Sequence, residues 1–336
     1  MTKEPRAKSP TAQLPVEINL TAGIIAIPGP RQMAAGAASG PNIIVTHEGG
    51  DVGLPSGPFD PLAHRTFEMG LRAWVSEQTG VTLGYVEQLY TFGDRGRHAQ
   101  IGDSDPHVVS VGYLALTRMR TTPVLAAGVE FRSAYSFFPW EDWRGGRPAL
   151  LDKAILPALR MWCAREPTRV NARGLTRMER LRMLFGEDDG RFEDENVLDR
   201  FEMLYEAGLV EEARRDGRPS PLLDELPALG LAMRLDHRRI LATGLGRLRS
   251  KMKYRPVIFE LMPETFTLTA LQSAAEAITG RHLHKQNFRR FVENAAVVEP
   301  TGETARLTGG RPAALFRYRR EVVQERPAQG LRVGRG

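Results

Sequence analysis

Four side chains near the end of the chain, Lys285, Gln286, Arg289 and Arg290, are of the types that hydrogen-bond purine edges and phosphate oxygens. At helical spacing they share one face with Asn294, while Phe288, Phe291, Val292 and Ala295 fall on the other. The chemistry such a face offers is the reading of base edges in a major groove. Arg311, in Gly309-Gly310-Arg311-Pro312, adds a cation where glycines let backbone come close to a phosphate or minor groove.

These residues need elements to carry them. Leu268, Leu271, Ala275 and Ile278 recur at a helical period that Gly280 ends, and a second helix begins near His284. Thr267 and Thr269 compete to cap the first helix, Thr269 having capping-box spacing to Gln272, and both are placed at the DNA-binding surface. Val297-Val298, the turn Pro300-Thr301-Gly302 and Leu315-Phe316-Arg317-Tyr318 supply a two-stranded wing. The whole predicts a winged helix-turn-helix. From Asp236 onward there are 19 Lys and Arg against 9 Asp and Glu, whereas the preceding 235 residues hold 27 and 31. The positive excess therefore sits with the expected DNA-binding unit.

The 336 residues suffice for two or three domains. No apolar run approaches the roughly 20 residues that span a bilayer. The polar start lacks an apolar signal region, and a cytoplasmic protein is expected. Cys163, the single cysteine, permits no internal disulfide or cysteine-based metal site and reads as a packed residue.

A second set of candidates lies in the first half. Strands are expected at Glu17–Leu20 and Gly23–Ile27, with Asn42–Thr46 across a hairpin. The turn Leu54-Pro55-Ser56-Gly57-Pro58 leads into a helix from about Ala63 to Thr79, closed by Gly80, with a strand from Val81 to Leu89 after it. Phe67, Leu71, Trp74 and Val75 form the inner face of that helix.

Turn, helix and glycine resemble a Nudix box, in which carboxylates on the helix hold a magnesium ion beside a diphosphate. Aligned from Gly80, the carboxylate cluster falls on Ala73-Trp74-Val75-Ser76-Glu77-Gln78, of which only Glu77 is acidic. One carboxylate is a poor cage for a hard cation, so the resemblance implies a retained fold without hydrolysis, no catalytic residue and no metal site. Tyr85–Arg95, His107–Leu116, Leu223–Leu229, Leu235–His237, Arg249–Leu271 and Gly310–Ala313 are similar to the Nudix-related transcriptional regulators of NAD metabolism. The extra residues after Trp143 are most like those of an alphaproteobacterial subgroup of NAD-biosynthesis repressors. This resemblance implies a Nudix-like α/β/α sandwich with a helical insertion, followed by a C-terminal winged helix. It also implies an adenine-nucleotide effector (ATP, NAD or ADP-ribose), double-stranded operator DNA as partner, and no required cofactor. Ser56, Gly57, Glu77 and Gln78, with Arg95 and Arg97 as phosphate partners, are the nucleotide-site candidates.

The expected organisation is a leader (1–14), sandwich sensor (15–148), helical insert (149–222), end of sensor and connecting helix (223–255), winged helix (256–324) and tail (325–336). Within the insert, Leu151, Ile155, Leu159 and Trp162, then Leu181 and Leu184, then Val197, Phe201, Leu204 and Leu209 recur helically, with Pro157 interrupting or restarting the first helix. Glu193-Asp194-Glu195 reads as a solvated helix start. The connecting helix, Asp236 to Lys253, has an apolar stripe of Ile240, Leu241, Leu245 and Leu248, suited to the sensor or to a second subunit. A homodimer is expected, since a short half-site gains affinity from a symmetry mate. The reading that follows is a nucleotide-responsive repressor; the alternative is a magnesium-dependent nucleotide diphosphate hydrolase with Glu68 or Glu87 substituting for the missing carboxylates.

Overall fold

Val16–Ile27 is one continuous strand, β1, and the first domain is built around it. Thr21-Ala22 suggested a break between two strands, but both residues are fully buried and the pairing runs through them. A strand covered on both faces has no solvent side to impose alternation, so its sequence reads as a nearly unbroken apolar run. The computed structural model describes residues 16–28, 40–94, 107–119, 125–187, 191–305 and 312–319.

β1 pairs in parallel with β6 (His107–Arg118) along its whole length and antiparallel with β2 (Asn42–Glu48). With β3 (Asp51–Gly53) and β5 (Val86–Phe92) the order is β3-β2-β1-β6-β5; β4 (Ser56–Pro58) adds to β1 and β7 (Val129–Ser133) to β2. Alternate residues feed two cores. Leu20, Ala22, Ile24 and Ile44 meet Leu71 and Val75 of helix α1 (Phe67–Thr79), whereas Ile25, Ile43, Leu114 and Leu116 join the core that includes the connecting helix. The result is the expected α/β/α sandwich.

Helix α1 starts later than its periodicity suggested because Thr66 caps it, accepting from the Met69 amide at 3.2 Å; Gly80, at φ 71°, closes it. The next strand also starts late, at Val86. The carbonyls of Leu83 and Gly84 accept from Arg72 of α1, at 2.8 and 3.2 Å, and tie that segment to the helix.

The insert is helical. A π-turn over Leu151–Ile155 runs into α2 (Leu156–Arg165), and Pro157, which has no N–H to donate, stands directly after this change of helical pitch. α3 (Arg177–Phe185) opens on a Thr176/Glu179 capping box, and α4 (Val197–Glu206) and α5 (Glu211–Arg215) follow. All the apolar residues expected to face inward are buried, Cys163 with them; Leu209 lies just beyond α4 rather than in it.

The connecting helix α6 (His237–Met252) packs on the sheet on one side and on α4 on the other. Ile240, Leu241, Leu245 and Leu248 are each 0% exposed within the single chain. That stripe is therefore consumed by the protomer's own core and is not available to a second subunit.

Candidate nucleic-acid interface and its anchorage

After a short 3-10 turn, Val257–Glu260, the C-terminal domain comprises β8 (Thr265–Phe266), α7 (Leu268–Thr279), α8 (Lys285–Ala295), β9 (Val298–Ala305) and β10 (Ala313–Tyr318). The strands form an antiparallel sheet in the order β8-β10-β9, one strand more than the wing read from sequence. Pro300-Thr301-Gly302 is not the wing's turn. It lies within β9, where Gly302 has φ 82° and Thr301 donates to the Leu315 carbonyl at 3.2 Å, beside a register shift in β10.

Phe288 and Val292 are buried and Phe291 and Ala295 half-buried, so α8 exposes Lys285, Gln286, Arg289, Arg290 and Asn294 on its outer side. No side chain caps the start of α8. The turn between α7 and α8 is fixed by a small polar cluster: Gln272 donates to the Leu283 carbonyl at 2.8 Å and to Glu276, and Glu276 accepts from the Leu283 amide at 2.9 Å. Gln272 thus holds the turn rather than a capping box. The cap of α7 is Thr267, whose hydroxyl accepts from the Ala270 amide at 3.1 Å and which is 5% exposed. Thr267 is committed to the helix and buried, while Thr269 is exposed in the first turn. Arg311 lies outside the described residues.

The other candidate set is brought together at one turn, but with a different use. Gln78 clasps the backbone of Ser56 in both directions, accepting from its amide at 3.1 Å and donating to its carbonyl at 2.7 Å. Trp74 lies over Gly57, where a Cβ would stand 2.4 Å from the indole, and donates to the Pro58 carbonyl at 2.8 Å. Where the Nudix resemblance expects carboxylates, an amide fastens the turn and an indole fills the space above it. Glu77 is exposed on the same helix. The two substitutes lie elsewhere: Glu68 pairs with Arg72 at 2.9 Å, and Glu87 accepts from Lys251 at 2.6 Å and from the Tyr85 hydroxyl at 2.8 Å. Among the described residues no cluster of three or more His, Cys, Asp or Glu is poised for a metal ion. These residues do not fit a magnesium cage. Arg95 and Arg97 lie outside the described residues.

Sequence reasoning missed the contacts that hold the winged domain in place. Glu141, fully buried, receives Arg200 of the insert at 2.6 and 2.9 Å and Arg249 of α6 at 2.6 Å. Burial by itself pushes this carboxyl up, but the two guanidinium groups and their hydrogen bonds outweigh it and hold it below the usual carboxylate range. Arg200 also donates to the carbonyls of Leu184 and Glu193, and Arg249 to those of Asp194 and Ile278. Ile278 is in the last turn of α7, whose carbonyls lack helical donors. Ala277 in the same turn accepts from Tyr135 at 2.6 Å, and Gly280 accepts from the Trp143 amide at 2.7 Å. The acids read as a solvated helix start are in fact partnered: Asp194 pairs with Arg281 at 3.0 Å and Glu195 with Lys253 at 2.6 Å. Sandwich, insert, connecting helix and winged domain therefore meet at one buried charge cluster.

With this geometry in place, comparison with known proteins is decisive for the C-terminal unit: residues 258–318 match the NrtR DNA-binding winged helix domain. The C-terminal domain is an NrtR-type winged helix. The ADPR responsive transcriptional repressor NtrR of Acinetobacter baylyi is 41% identical over 91 residues, which are 27% of this chain and 36% of that protein. The chain thus matches little more than a third of that relative's length. Shewanella oneidensis NrtR complexed with a 27mer DNA has a TM-score of 0.53 at 18% identity, covering 96% of this chain and all of that one. A second structure of the same protein gives 0.50 at 18% identity over 92% of this chain and 95% of that one. The overall fold is that of Shewanella oneidensis NrtR, with a winged helix at its C-terminal end.

Proposed function

We propose that the protein is a ligand-responsive DNA-binding transcriptional regulator, a repressor of NAD-biosynthesis genes, that senses an adenine nucleotide through a non-catalytic Nudix-like domain. The observation that carries this reading is the exposed face of Lys285, Gln286, Arg289 and Arg290 on an NrtR-type winged helix. In this reading α8 enters the major groove, Thr269 and Arg311 contact the backbone or minor groove, and phosphates select register while the α8 side chains select sequence.

The effector class is supported by the name of the Acinetobacter relative, an ADPR responsive repressor; ADP-ribose is the first candidate, before NAD and ATP. Its place is the turn at Ser56 and Gly57 with Glu77 and Gln78 beside it, Arg95 and Arg97 supplying phosphate contacts. Coupling requires the ligand to prefer one arrangement of the winged domain over another, and the Glu141 cluster is the contact through which sandwich and winged domain would exchange that preference. Loss of hydrolysis is supported by Gln78 and Trp74, each committed to the backbone of the turn. Two copies of the chain bind a two-fold operator, through a surface other than the enclosed stripe of α6.

Fluorescence anisotropy with DNA upstream of NAD-biosynthesis genes, at fixed salt and with ADP-ribose, NAD and ATP added in turn, tests the proposal. Sequence-selective binding that one nucleotide alters is the expected result. Affinity no greater than for random DNA refutes it.

A further inference from the structure

A cavity of about 840 Å³ opens where the sandwich, the end of α6 and the winged domain meet, well within the size range of small-molecule sites. It is distinct from the Ser56–Gln78 turn and shares no residue with it. Its wall is aromatic. Phe259 and Tyr318 are stacked at 4.3 Å with their planes 15° apart, and Phe266 packs against Phe259 at 5.7 Å. Tyr85 contributes a fourth ring from the sandwich, with Lys251 5.2 Å from its centre.

Four cations line the same space: Arg118, Lys251, Arg255 and Arg317. Lys251 is matched by Glu87 at 2.6 Å and Arg317 by Glu299 at 2.5 Å. Arg118 and Arg255 are exposed and join no ion pair among the described residues. Glu260 and Glu264 are the acids on the lining; with Lys251 and Arg317 matched by Glu87 and Glu299, Arg118 and Arg255 are the cations left to face a ligand. An aromatic wall beside two guanidinium groups that no acid among the described residues pairs is complementary to a planar ring joined to phosphate.

We propose that this cavity binds a nucleotide bearing one or two phosphates, the base against the part-exposed rings of Tyr85 and Tyr318, with Phe259 buried behind Tyr318, and the phosphates on Arg118 and Arg255. Glu260 and Glu264 accept from ribose hydroxyls and oppose the higher charge of a triphosphate. Because Arg118 belongs to the sandwich and Tyr318 to the winged domain, the bound molecule bridges the two and favours the arrangement in which they are adjacent.

Isothermal titration of the full chain with AMP, ADP, adenosine and inorganic phosphate tests this. AMP or ADP is expected to bind, with adenosine and phosphate each weaker by at least about tenfold, the worth of a charge-assisted contact. Arg118→Ala/Arg255→Ala, at two exposed positions, should lose at least about tenfold in AMP or ADP affinity, while Arg173→Ala, an exposed arginine of the insert, should not. If Gln78→Ala abolishes binding and the double variant keeps wild-type affinity, the nucleotide sits at the turn and the proposal is overturned. Equal affinity for AMP and adenosine, loss of DNA binding alone in the double variant, or no nucleotide binding at all overturns it too. A chain that binds AMP through these arginines but recognises no operator refutes the regulator reading and leaves this site standing.

Discussion

Arg249 reaches back 108 positions to Glu141, Nη1 to Oε2 at 2.6 Å, with both side chains withdrawn from solvent. The same guanidinium donates through Nε to the Ile278 carbonyl at 2.9 Å, at the end of the first helix of the winged domain. One side chain thus binds the acid of the sandwich and the terminus of the DNA-binding unit, and Arg200 of the insert completes the set.

Removing the acid leaves two buried guanidinium groups without a counter-charge. Glu141→Gln is therefore expected to destabilise the fold by roughly 3–5 kcal/mol, the cost typical of breaking a buried pair from one side. The urea midpoint measures it. A midpoint unchanged from wild type would mean that the cluster contributes no net stability.

The same carboxyl makes stability depend on acidity in a definite direction. Its folded pKa is depressed, so its contribution is complete above the unfolded value, about 4.3, and is lost as pH falls from there through the folded value. Wild-type urea midpoints should drop on acidification below about pH 4.3 more steeply than those of Glu141→Gln. Parallel curves would contradict this.

Gly280 is at φ 70°, and a Cβ there would lie 2.2 Å from the Glu141 carbonyl oxygen and 2.9 Å from the Tyr135 hydroxyl. Gly280→Ala combines a strained backbone with a clash against the main chain, and is expected to cost more than about 1 kcal/mol. Hydrogen exchange should show faster amides at the end of α7 and in Trp143, whose N–H donates to Gly280. Unchanged exchange would mean that the junction yields without opening.

On the outer face of α8, Arg290→Ala and Gln286→Ala should relax sequence preference, each by about 1–3 kcal/mol of discrimination. Arg311→Ala should weaken all sequences alike and lower the salt slope by about 1. Competition anisotropy at several salt concentrations separates the two effects. Wild-type operator binding by all three variants would move the reading surface elsewhere.

Gln78→Glu restores an acid to the box but turns a carboxylate toward the Ser56 carbonyl, which now accepts from the Gln78 amide. Tm should fall, and Trp74→Glu/Gln78→Glu should hydrolyse no ADP-ribose with magnesium. Turnover in wild type, abolished by Glu77→Gln, would restore the hydrolase reading.

What could be read from the sequence was what repeats locally. The period of Leu268, Leu271, Ala275 and Ile278, the glycine at position 280 and the two-faced composition of Lys285–Ala295 are all short-range signals, and the helices stand where they indicated. Leu151, Phe201 and Leu204 likewise marked the insert as helical and its core as apolar. The parallel pairing of β1 with β6 and the Glu141 cluster depend on residues far apart in the chain and have no local signature. Arg200 and Arg249 look like any surface arginine in an amphipathic helix until the fold buries them. Trp74 and Gln78 were visible as substitutions in the box, but their use against Gly57 and Ser56 required the turn to be seen closed upon them.

The spacing of the buried cluster along the chain also sets an order of assembly. Chains are made from the N-terminus and domains fold as they emerge; Glu141 and Arg200, 59 positions apart, are both synthesised before Arg249. The acid and its first partner are both made before α6, which brings the second guanidinium. The side chains that receive the DNA-binding unit therefore all precede it in the chain: Glu141, Arg200 and Arg249 are synthesised before Ile278, whose carbonyl accepts from Arg249.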